Sequence, residues 1–382
     1  MSAGIATRFP LVSRGKPVCR PLSARIAELD DAAARAEQAQ TPAYQRLVAA
    51  SEVYNKAALI ASDCGLPGTA HELCWQQWDT YATALGEDNQ SAELLKLALQ
   101  PILNLARQLI RDQQSQTAHR LLTQLFLAAN KQQQVQLHGR VIPLDMPYAT
   151  DDERLVIRQH LWAALLADGS RAMIAQQRWT EALELAKKFN GVGNRLLDGR
   201  QILIIATALG TTPDEALGLL ETTKLTERWE EAVAATLRLF VLHQTGLPKH
   251  DASMAVVEQC KALLDRADSS MGSFAARHAA VAADLLADAH PAQCTELAAA
   301  LTQFAGRWPD AYVAREALAC QAARSRMTST ECDALAETTR ASGLDAGTIP
   351  EPVFADLRSH VRRAAFVISQ LTKAAAMARA HG

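Results

Sequence analysis

The chain has 382 residues, and single hydrophobic cores usually stop growing at roughly 250–300 residues, so several domains or a repeat array are expected. Its formal net charge is −2, from 39 basic and 41 acidic residues, and it shows no basic excess of the kind that drives general nucleic-acid binding. No window approaches the roughly 20 apolar residues of a membrane-spanning helix, so neither nucleic acid nor membrane is an expected partner.

The N-terminal residues and the cysteines indicate the compartment. Residues 1–21 contain three prolines and no helical period, which predicts an extended or mobile arm without the apolar stretch of a signal peptide. The cysteines are scattered and odd in number, which is typical of free thiols in a reducing compartment. They are Cys19, Cys64, Cys74, Cys260, Cys294, Cys320 and Cys332. The sequence therefore predicts a cytoplasmic protein.

From residue 22 onward, apolar residues recur at the spacing of helices joined by short loops. One helix is expected to begin at Thr41-Pro42, with Thr41 as its N-cap and Pro42 in its first turn. It is expected to end at Gly65, because glycine adopts the left-handed conformation that often follows a helix. Most of the predicted helices are joined by two to six residues, and loops of this length are typical of antiparallel helical hairpins.

Residues 131–150 interrupt the helical pattern. Val135 and Leu137 precede a His138-Gly139 turn, and Val141 and Ile142 follow it, which predicts two short strands. A β-hairpin-like insertion in a helical array is notable because inserted loops often carry function.

Short similar segments recur along the chain around an alanine. They are Gly-Thr-Ala70-His-Glu-Leu, Gln-Thr-Ala118-His-Arg-Leu, Glu-Ala182-Leu-Glu-Leu and Glu-Ala216-Leu-Gly-Leu. Ala182 and Ala216 are 34 residues apart, a period found in helical repeats. The segment that begins Arg178-Trp-Thr-Glu-Ala resembles the second helix of a tetratricopeptide repeat, and the chain is similar to actinobacterial tetratricopeptide-like proteins of unassigned role.

This resemblance implies an all-α fold, an α-solenoid of stacked antiparallel helix hairpins (TPR-like) with a short β-hairpin-like insertion. We expect repeats over residues 22–265, interrupted by the insertion at 131–150, and C-terminal helical repeats or a cap over residues 266–382. Scaffolds of this type bind peptides or protein segments on a concave face, so the resemblance also implies a protein or peptide partner.

One candidate site lies between residues 191 and 200. Gly191-Val-Gly193-Asn194-Arg195 precedes a predicted helix start, where free backbone N–H groups can bind an anion and Arg195 can pair with a carboxylate or phosphate. The alternative is that Arg195 pairs with Asp198, three residues later.

A second candidate site lies on the helix that carries Trp162, Asp168 and Arg171, where a polar pocket competes with a plain surface ion pair. Asn55-Lys56 and Asn104-Arg107 are similar to the pairs that carboxylate-binding repeats use on their first helices, although such pairs are common in helices. The predicted ligand- or peptide-binding groove comprises Arg140, Trp162, Asp168, Arg171, Gly193, Arg195, Asp198 and Arg200.

The sequence predicts no catalytic residue, no cofactor and no metal. Cys64, His71 and Cys74 come closest to a metal-ligand spacing, but no fourth ligand lies nearby in the sequence. No nucleophile–base pattern or phosphate loop is recognisable, which favours a binding protein over an enzyme.

We therefore predict a protein- or peptide-binding helical scaffold of the kind found in biosynthetic or regulatory pathways, with a homo-oligomer compatible with the sequence. Two alternatives stay open. One is an all-α enzyme or small-molecule binder with a pocket on the concave face, and the other is the sensor half of a regulatory pair.

Overall fold

The structure is a computed structural model that describes residues 2–12, 15–83, 85, 91–145, 150–210, 212–245 and 249–380. These residues form helices, loops and one two-stranded antiparallel ribbon, so the predicted all-α fold and its hairpin insertion are confirmed. The chain divides into two compact units. The first unit comprises residues 1–21 and 176–342, and the second unit comprises residues 22–175 and 343–382.

The elements follow one another with short connections. Up to residue 174 they are α1 (Ser2–Ala6), α2 (Leu22–Glu37), α3 (Ala43–Asp63), α4 (Pro67–Ala82), α5 (Ala92–Arg111), α6 (Ser115–Lys131), β1 (Gln134–Leu137), β2 (Arg140–Pro143), α7 (Asp151–Ala164) and α8 (Ser170–Ile174). A π-helical segment, Leu165–Gly169, joins α7 to α8. The later helices are α9 (Trp179–Lys188), α10 (Asp198–Leu209), α11 (Pro213–Glu221), α12 (Arg228–Thr245), α13 (His250–Arg266), α14 (Gly272–Leu286), α15 (Pro291–Arg307), α16 (Ala311–Ala319), α17 (Gln321–Arg324), α18 (Ser329–Ala341) and α19 (Glu351–Ala380).

The local sequence explains where several helices begin and end. The Ser91 hydroxyl accepts a hydrogen bond of 3.2 Å from the backbone N–H of Glu93 and caps α5. Thr328 and Glu331 form a reciprocal capping box at the start of α18. Gly65 follows α3 with a φ of +76°, as the sequence predicts, because glycine has no Cβ to clash in this left-handed conformation.

In the second unit, consecutive helices from α2 to α7 pack on one another, α8 packs against α6, and α19 packs against α2, α3 and α4. Helices two apart also touch, since α3 contacts α5 and α5 contacts α7. Trp78 and Tyr81 of α4 are among the largest fully buried side chains of this core. The contacts between alternate helices bring polar side chains of α3, α5 and the π-helical segment together.

A buried ion cluster joins three helices of the second unit. Asp63 of α3 accepts a hydrogen bond of 2.6 Å from Arg25 of α2 and one of 3.1 Å from Arg111 of α5. Asp63 and Arg25 are 4% and 6% exposed, so water cannot replace these contacts. The backbone N–H of Asp345 also donates to the carbonyl oxygen of Asp63 at 2.7 Å, which attaches the loop before α19.

In the first unit, consecutive helices from α9 to α17 pack on one another, and α18 packs against α15 and α16. In addition, α10, α12, α14 and α16 contact each other in that order. The N-terminal residues belong to this unit, where α1 contacts α10 and α14. The predicted arm therefore contains a short helix, Ser2–Ala6, and its described residues 7–12 and 15–21 form no helix or strand.

Two further properties concern the described residues. No helix among them is both long and apolar enough to cross a membrane. All seven cysteines are free thiols, as predicted, and only Cys332 is more than slightly exposed.

Candidate functional site

Polar side chains from three neighbouring helical segments of the second unit form a connected row. The side-chain amide of Asn104 in α5 donates a hydrogen bond of 2.7 Å to the side-chain oxygen of Asn55 in α3. The Asn104 oxygen accepts hydrogen bonds of 3.2 Å from Gln100 and 3.0 Å from Arg107. We call Asn55, Asn104, Arg107 and Asp168 the asparagine row.

Asp168 ends the row within the π-helical segment. Its carboxylate is 5% exposed and accepts a hydrogen bond of 2.9 Å from Arg107 Nε. The π-helical turn holds one more residue than an α-helical turn, and such turns occur often at functional sites. The Arg107 side chain is 44% exposed, so N–H groups that do not contact Asn104 or Asp168 can face a ligand.

The surroundings of the row are positively charged. Burial and the nearby charges of Lys96 and Arg107 lower the pKa of His160 in α7 below its usual value. Its Nε2 atom is buried and has no hydrogen-bond partner among the described residues. Positive charge near His160 therefore comes from Lys96 and Arg107, and the carboxylate of Asp168 offsets part of the charge of Arg107.

Of the predicted site residues, four lie in the second unit. Asp168 is part of the asparagine row. Trp162 lies on α7 with 37% of its surface exposed, and Arg171 is half-buried on α8. Both belong to the same α7–π–α8 helical run as Asp168.

The fourth residue, Arg140, fastens the hairpin to α4. Its guanidinium donates hydrogen bonds of 2.6 Å and 2.7 Å to the two carboxylate oxygens of Asp79. The same group lies 4.6 Å from the centre of the Trp75 ring, and the His138 ring meets that ring edge-on at 5.6 Å. Arg140 therefore has a structural role in docking β1 and β2, whatever else it contacts.

The other four residues lie in the first unit, where Arg195 binds carboxylates of its own chain. Arg195 Nε donates a hydrogen bond of 2.7 Å to Glu230, and Arg195 Nη2 donates to Glu227. Glu230 is 0% exposed. The sequence suggested Asp198 or an external anion as the partner, whereas the structure gives Arg195 two glutamates of the segment that starts α12.

Arg200, Asp198 and Gly193 also have local explanations. Arg200 donates hydrogen bonds of 2.7 Å to the carbonyl oxygen of Leu219 and 3.0 Å to Thr223, and so caps the end of α11. Asp198 accepts a hydrogen bond of 3.3 Å from the backbone N–H of Val12. Gly193 is exposed, and no atom lies within 4 Å of the position of a Cβ there. The grouping of all eight residues in one groove stays a prediction.

Asn55, Asn104 and Arg107 were absent from the predicted groove. The signal was present in the sequence, since Asn55-Lys56 and Asn104-Arg107 are similar pairs on alternate helices. The two asparagines are 49 residues apart, close to the 48 residues between Ala70 and Ala118. This spacing, together with the pairing, distinguishes them from ordinary helical pairs.

Among the residues that the structure describes, no group of three or more His, Cys, Asp or Glu side chains lies close enough together to bind a metal ion. Cys64 and Cys74 are buried, and burial raises the pKa of the Cys74 thiol to about 12. His71 Nε2 lies 3.3 Å from a carboxylate oxygen of Asp112. These side chains serve packing and local pairing.

A cleft of about 210 Å³ lies between α4 and α19 of the second unit. It is lined by apolar side chains of α19, among them Phe354 and Leu357, and by the charged side chains of Glu72, Arg358 and Arg362. The guanidinium of Arg358 lies 4.6 Å from the centre of the Phe354 ring. The volume of this cleft is smaller than that of a usual small-molecule site.

Comparisons with known proteins leave the family open. No protein-family model matches the sequence, and no curated protein matches it. Among solved structures, one from the computational design of self-assembling cyclic protein homooligomers aligns with 92% of this chain and 93% of its own. The two sequences are 13% identical, and the TM-score is 0.11, so this likeness supports no conclusion about fold or assembly.

Proposed function

We propose that this chain is a helical-repeat scaffold that binds an extended segment of a protein or peptide along the asparagine row. The observation that carries the proposal is the side-chain hydrogen bond between Asn55 and Asn104, which crosses from α3 to α5 and continues to Arg107. An asparagine amide offers both a donor and an acceptor, as a peptide group does. A row of such groups can therefore pair with the backbone of an extended ligand.

The packing of the helices supports an α-solenoid, TPR-like arrangement as part of this proposal. Consecutive helices pack together, and alternate helices also touch, in both units. In a solenoid each helix pair buries its apolar side against its neighbours, and this leaves one face free for ligands. A cytoplasmic location without nucleic-acid or membrane partners completes the proposal, supported by the free thiols and the balanced charge.

The alternatives have weaker support. A small-molecule binder or an all-α enzyme would have to use a cleft such as the one between α4 and α19, where Arg362 could bind an anionic group. A sensor half of a regulatory pair would use the same peptide-binding face, so its partner would be a signalling or DNA-binding protein. Homo-oligomerisation is compatible with each of these functions.

The test is an affinity pull-down of the tagged full chain from its native lysate, quantified by mass spectrometry. We expect a stoichiometric protein that the Asn104→Ala and Arg107→Ala chains lose. Arg340→Ala is the matched control, because Arg340 is an exposed arginine that pairs with Glu337 in the first unit.

A peptide scan of the captured protein, followed by calorimetry, then locates the bound segment. If the Asn104→Ala and Arg107→Ala chains capture the same protein in the same amount as the wild-type chain, the asparagine row is not the binding face.

A further inference from the structure

The N-terminal segment of the chain crosses the alternate helices of the first unit. The backbone N–H of Val12 donates a hydrogen bond of 3.3 Å to Asp198, the first residue of α10. The Phe9 ring packs edge-on against Phe240 of α12, with 5.7 Å between the ring centres. Arg8 forms a salt bridge with Asp284 of α14. Residues 8–12 therefore contact α10, α12 and α14, which are alternate helices of the first unit.

Residues 15–20 continue the crossing toward α16. The backbone N–H of Lys16 donates a hydrogen bond of 3.2 Å to the carbonyl oxygen of Ser270, and the Lys16 ammonium lies 3.6 Å from the centre of the Tyr312 ring. Both backbone polar groups of Cys19 are hydrogen-bonded to the start of α16. Its N–H donates to Asp310 at 3.1 Å, and its carbonyl oxygen accepts from the backbone N–H of Ala311 at 2.9 Å.

Contacts with the helices hold most of the segment, and its local hydrogen bonds include those of Arg8 and Phe9 to Ile5 and Ala6 of α1. Residues 15–21 form no helix or strand, yet Cys19 is only 1% exposed. Phe9 and Leu11 are 4% and 2% exposed. Leu11 has a φ of +58°, a left-handed conformation that is unfavourable for a residue with a Cβ. Packing against the first unit must offset this local strain, as it does for a peptide bound in a groove.

The charges of the segment and of the helices are complementary. Arg8 and Lys16 are basic, whereas the helical face presents the carboxylates of Asp198, Asp284 and Asp310. Each aspartate lies on a different helix or at its start, so the acidic groups follow the direction of the segment. Main-chain hydrogen bonds, apolar anchors and complementary charges are together the features by which helical repeats recognise extended peptides.

We propose that α10, α12, α14 and α16 form a second peptide-binding surface, which residues 8–12 and 15–20 occupy as an internal ligand. Its external ligand is a basic peptide with the pattern Arg-Phe-x-Leu, which competes with the chain's own segment. A tethered segment has a high effective concentration, so it excludes the external peptide until it is released. This surface is separate from the asparagine row and does not depend on the function proposed for that row.

The test uses fluorescence anisotropy with a fluorescein-labelled peptide of residues 4–20 and the full-length chain. We expect the Phe9→Ala chain to bind this peptide at least tenfold more tightly than the wild-type chain, because its own segment has lost its aromatic anchor. The same peptide with Phe9→Ala should bind at least tenfold more weakly. Phe366→Ala is the matched control, since Phe366 is 65% exposed and lies on α19 of the second unit.

A charge exchange covers the case in which the Phe9→Ala chain does not fold. Arg8 and Asp284 have side chains that are 43% and 22% exposed, so changing them leaves the core intact. The Asp284→Arg chain should bind an Arg8→Asp peptide at least tenfold more tightly than the wild-type peptide.

Three results would overturn the proposal. One is a folded Phe9→Ala chain that does not bind the peptide. Another is a wild-type chain that binds it as tightly as the variant does. The third is peptide binding that disappears when Asn104→Ala is added to the Phe9→Ala chain, because the peptide would then occupy the asparagine row.

Discussion

Asn104 and Asn55 are joined by a side-chain hydrogen bond of 2.7 Å, although they are 49 residues apart and lie on different helices. Two asparagines can make this contact because each has both a donor and an acceptor. The contact requires α3 and α5 to lie side by side with matching rotation about their axes. The contact places polar side chains of α3 and α5 next to each other.

Replacing Asn104 tests how much of this row serves stability. We expect Asn104→Ala to lower the free energy of unfolding by only about 1 kcal/mol, because the site is half-exposed and water can replace the lost partners. Urea denaturation followed by circular dichroism measures the change. A loss several times larger would mean that the row mainly holds α3 to α5, and the proposed binding role would lose its main support.

Removing the carboxylate of Asp63 should have a much larger effect. Asp63→Ala takes away the acceptor of both Arg25 and Arg111, and breaking a buried ion pair typically costs about 3–5 kcal/mol. The matched control is Glu52→Ala, since Glu52 pairs with Arg35 and Lys56 near the surface, and surface ion pairs contribute about 0–1 kcal/mol. Equal losses for the two variants would show that the buried cluster contributes no more than a surface pair.

Much of the fold could be predicted from local sequence signals. The helical spacing, Gly65 after α3 and the His138-Gly139 turn each depend on residues within a few positions, and the structure agrees with all three. In the turn, His138 and Gly139 have φ values of +48° and +77°, as a tight two-residue hairpin requires.

The partners of charged side chains could not be predicted in this way. Arg195 pairs with Glu230, which is 35 residues away, and Arg140 pairs with Asp79, which is 61 residues away. Such pairs depend on which helices lie side by side, and no short window of the sequence encodes this. The contacts of Val12 with Asp198 and of Cys19 with Asp310, 186 and 291 positions later, could not be predicted for the same reason.

Gly193, in the loop before α10, and Gly199, in the first turn of α10, should respond differently to alanine. A Cβ at Gly199 would lie 2.1 Å from the carbonyl oxygen of Gly191, which is a severe clash with backbone, whereas a Cβ at Gly193 would meet no atom within 4 Å. We therefore expect Gly199→Ala to destabilise the chain by about 1–3 kcal/mol, as overpacking usually does. Gly193→Ala should change stability by less than about 0.5 kcal/mol.

Thermal denaturation of both variants checks this. If Gly193→Ala instead abolishes binding of a confirmed partner while stability is unchanged, Gly193 belongs to a ligand site, as the sequence predicts.

His278 should make the first unit sensitive to acid. The side chain is 0% exposed in α14, and its Nε2 atom lies 3.1 Å from the carbonyl oxygen of Ala232 and 3.0 Å from the hydroxyl of Thr236. Burial lowers the pKa of His278 to about 4, against a partial opposing effect of the Ala232 carbonyl.

The direction of the pH effect follows from proton binding. Between the ordinary pKa of about 6.5 and the folded pKa of about 4, the unfolded chain binds a proton at His278 that the folded chain does not. Stability is therefore lost as the pH falls through this window, by at most on the order of 3 kcal/mol. His160, His243 and His290 also have lowered pKa values in the fold, so part of the loss belongs to them.

The His278→Gln variant separates these contributions, because glutamine keeps a hydrogen-bond donor and does not titrate. We expect the variant to be less stable at pH 7.5, yet to lose clearly less stability than the wild-type chain between pH 6.5 and pH 4.5. Urea denaturation at four pH values measures both slopes, with His250→Gln as the control because His250 is exposed. Identical slopes for the wild-type and His278→Gln chains would mean that His278 can be protonated within the folded unit, and its burial among α12 and α14 would then have to be transient.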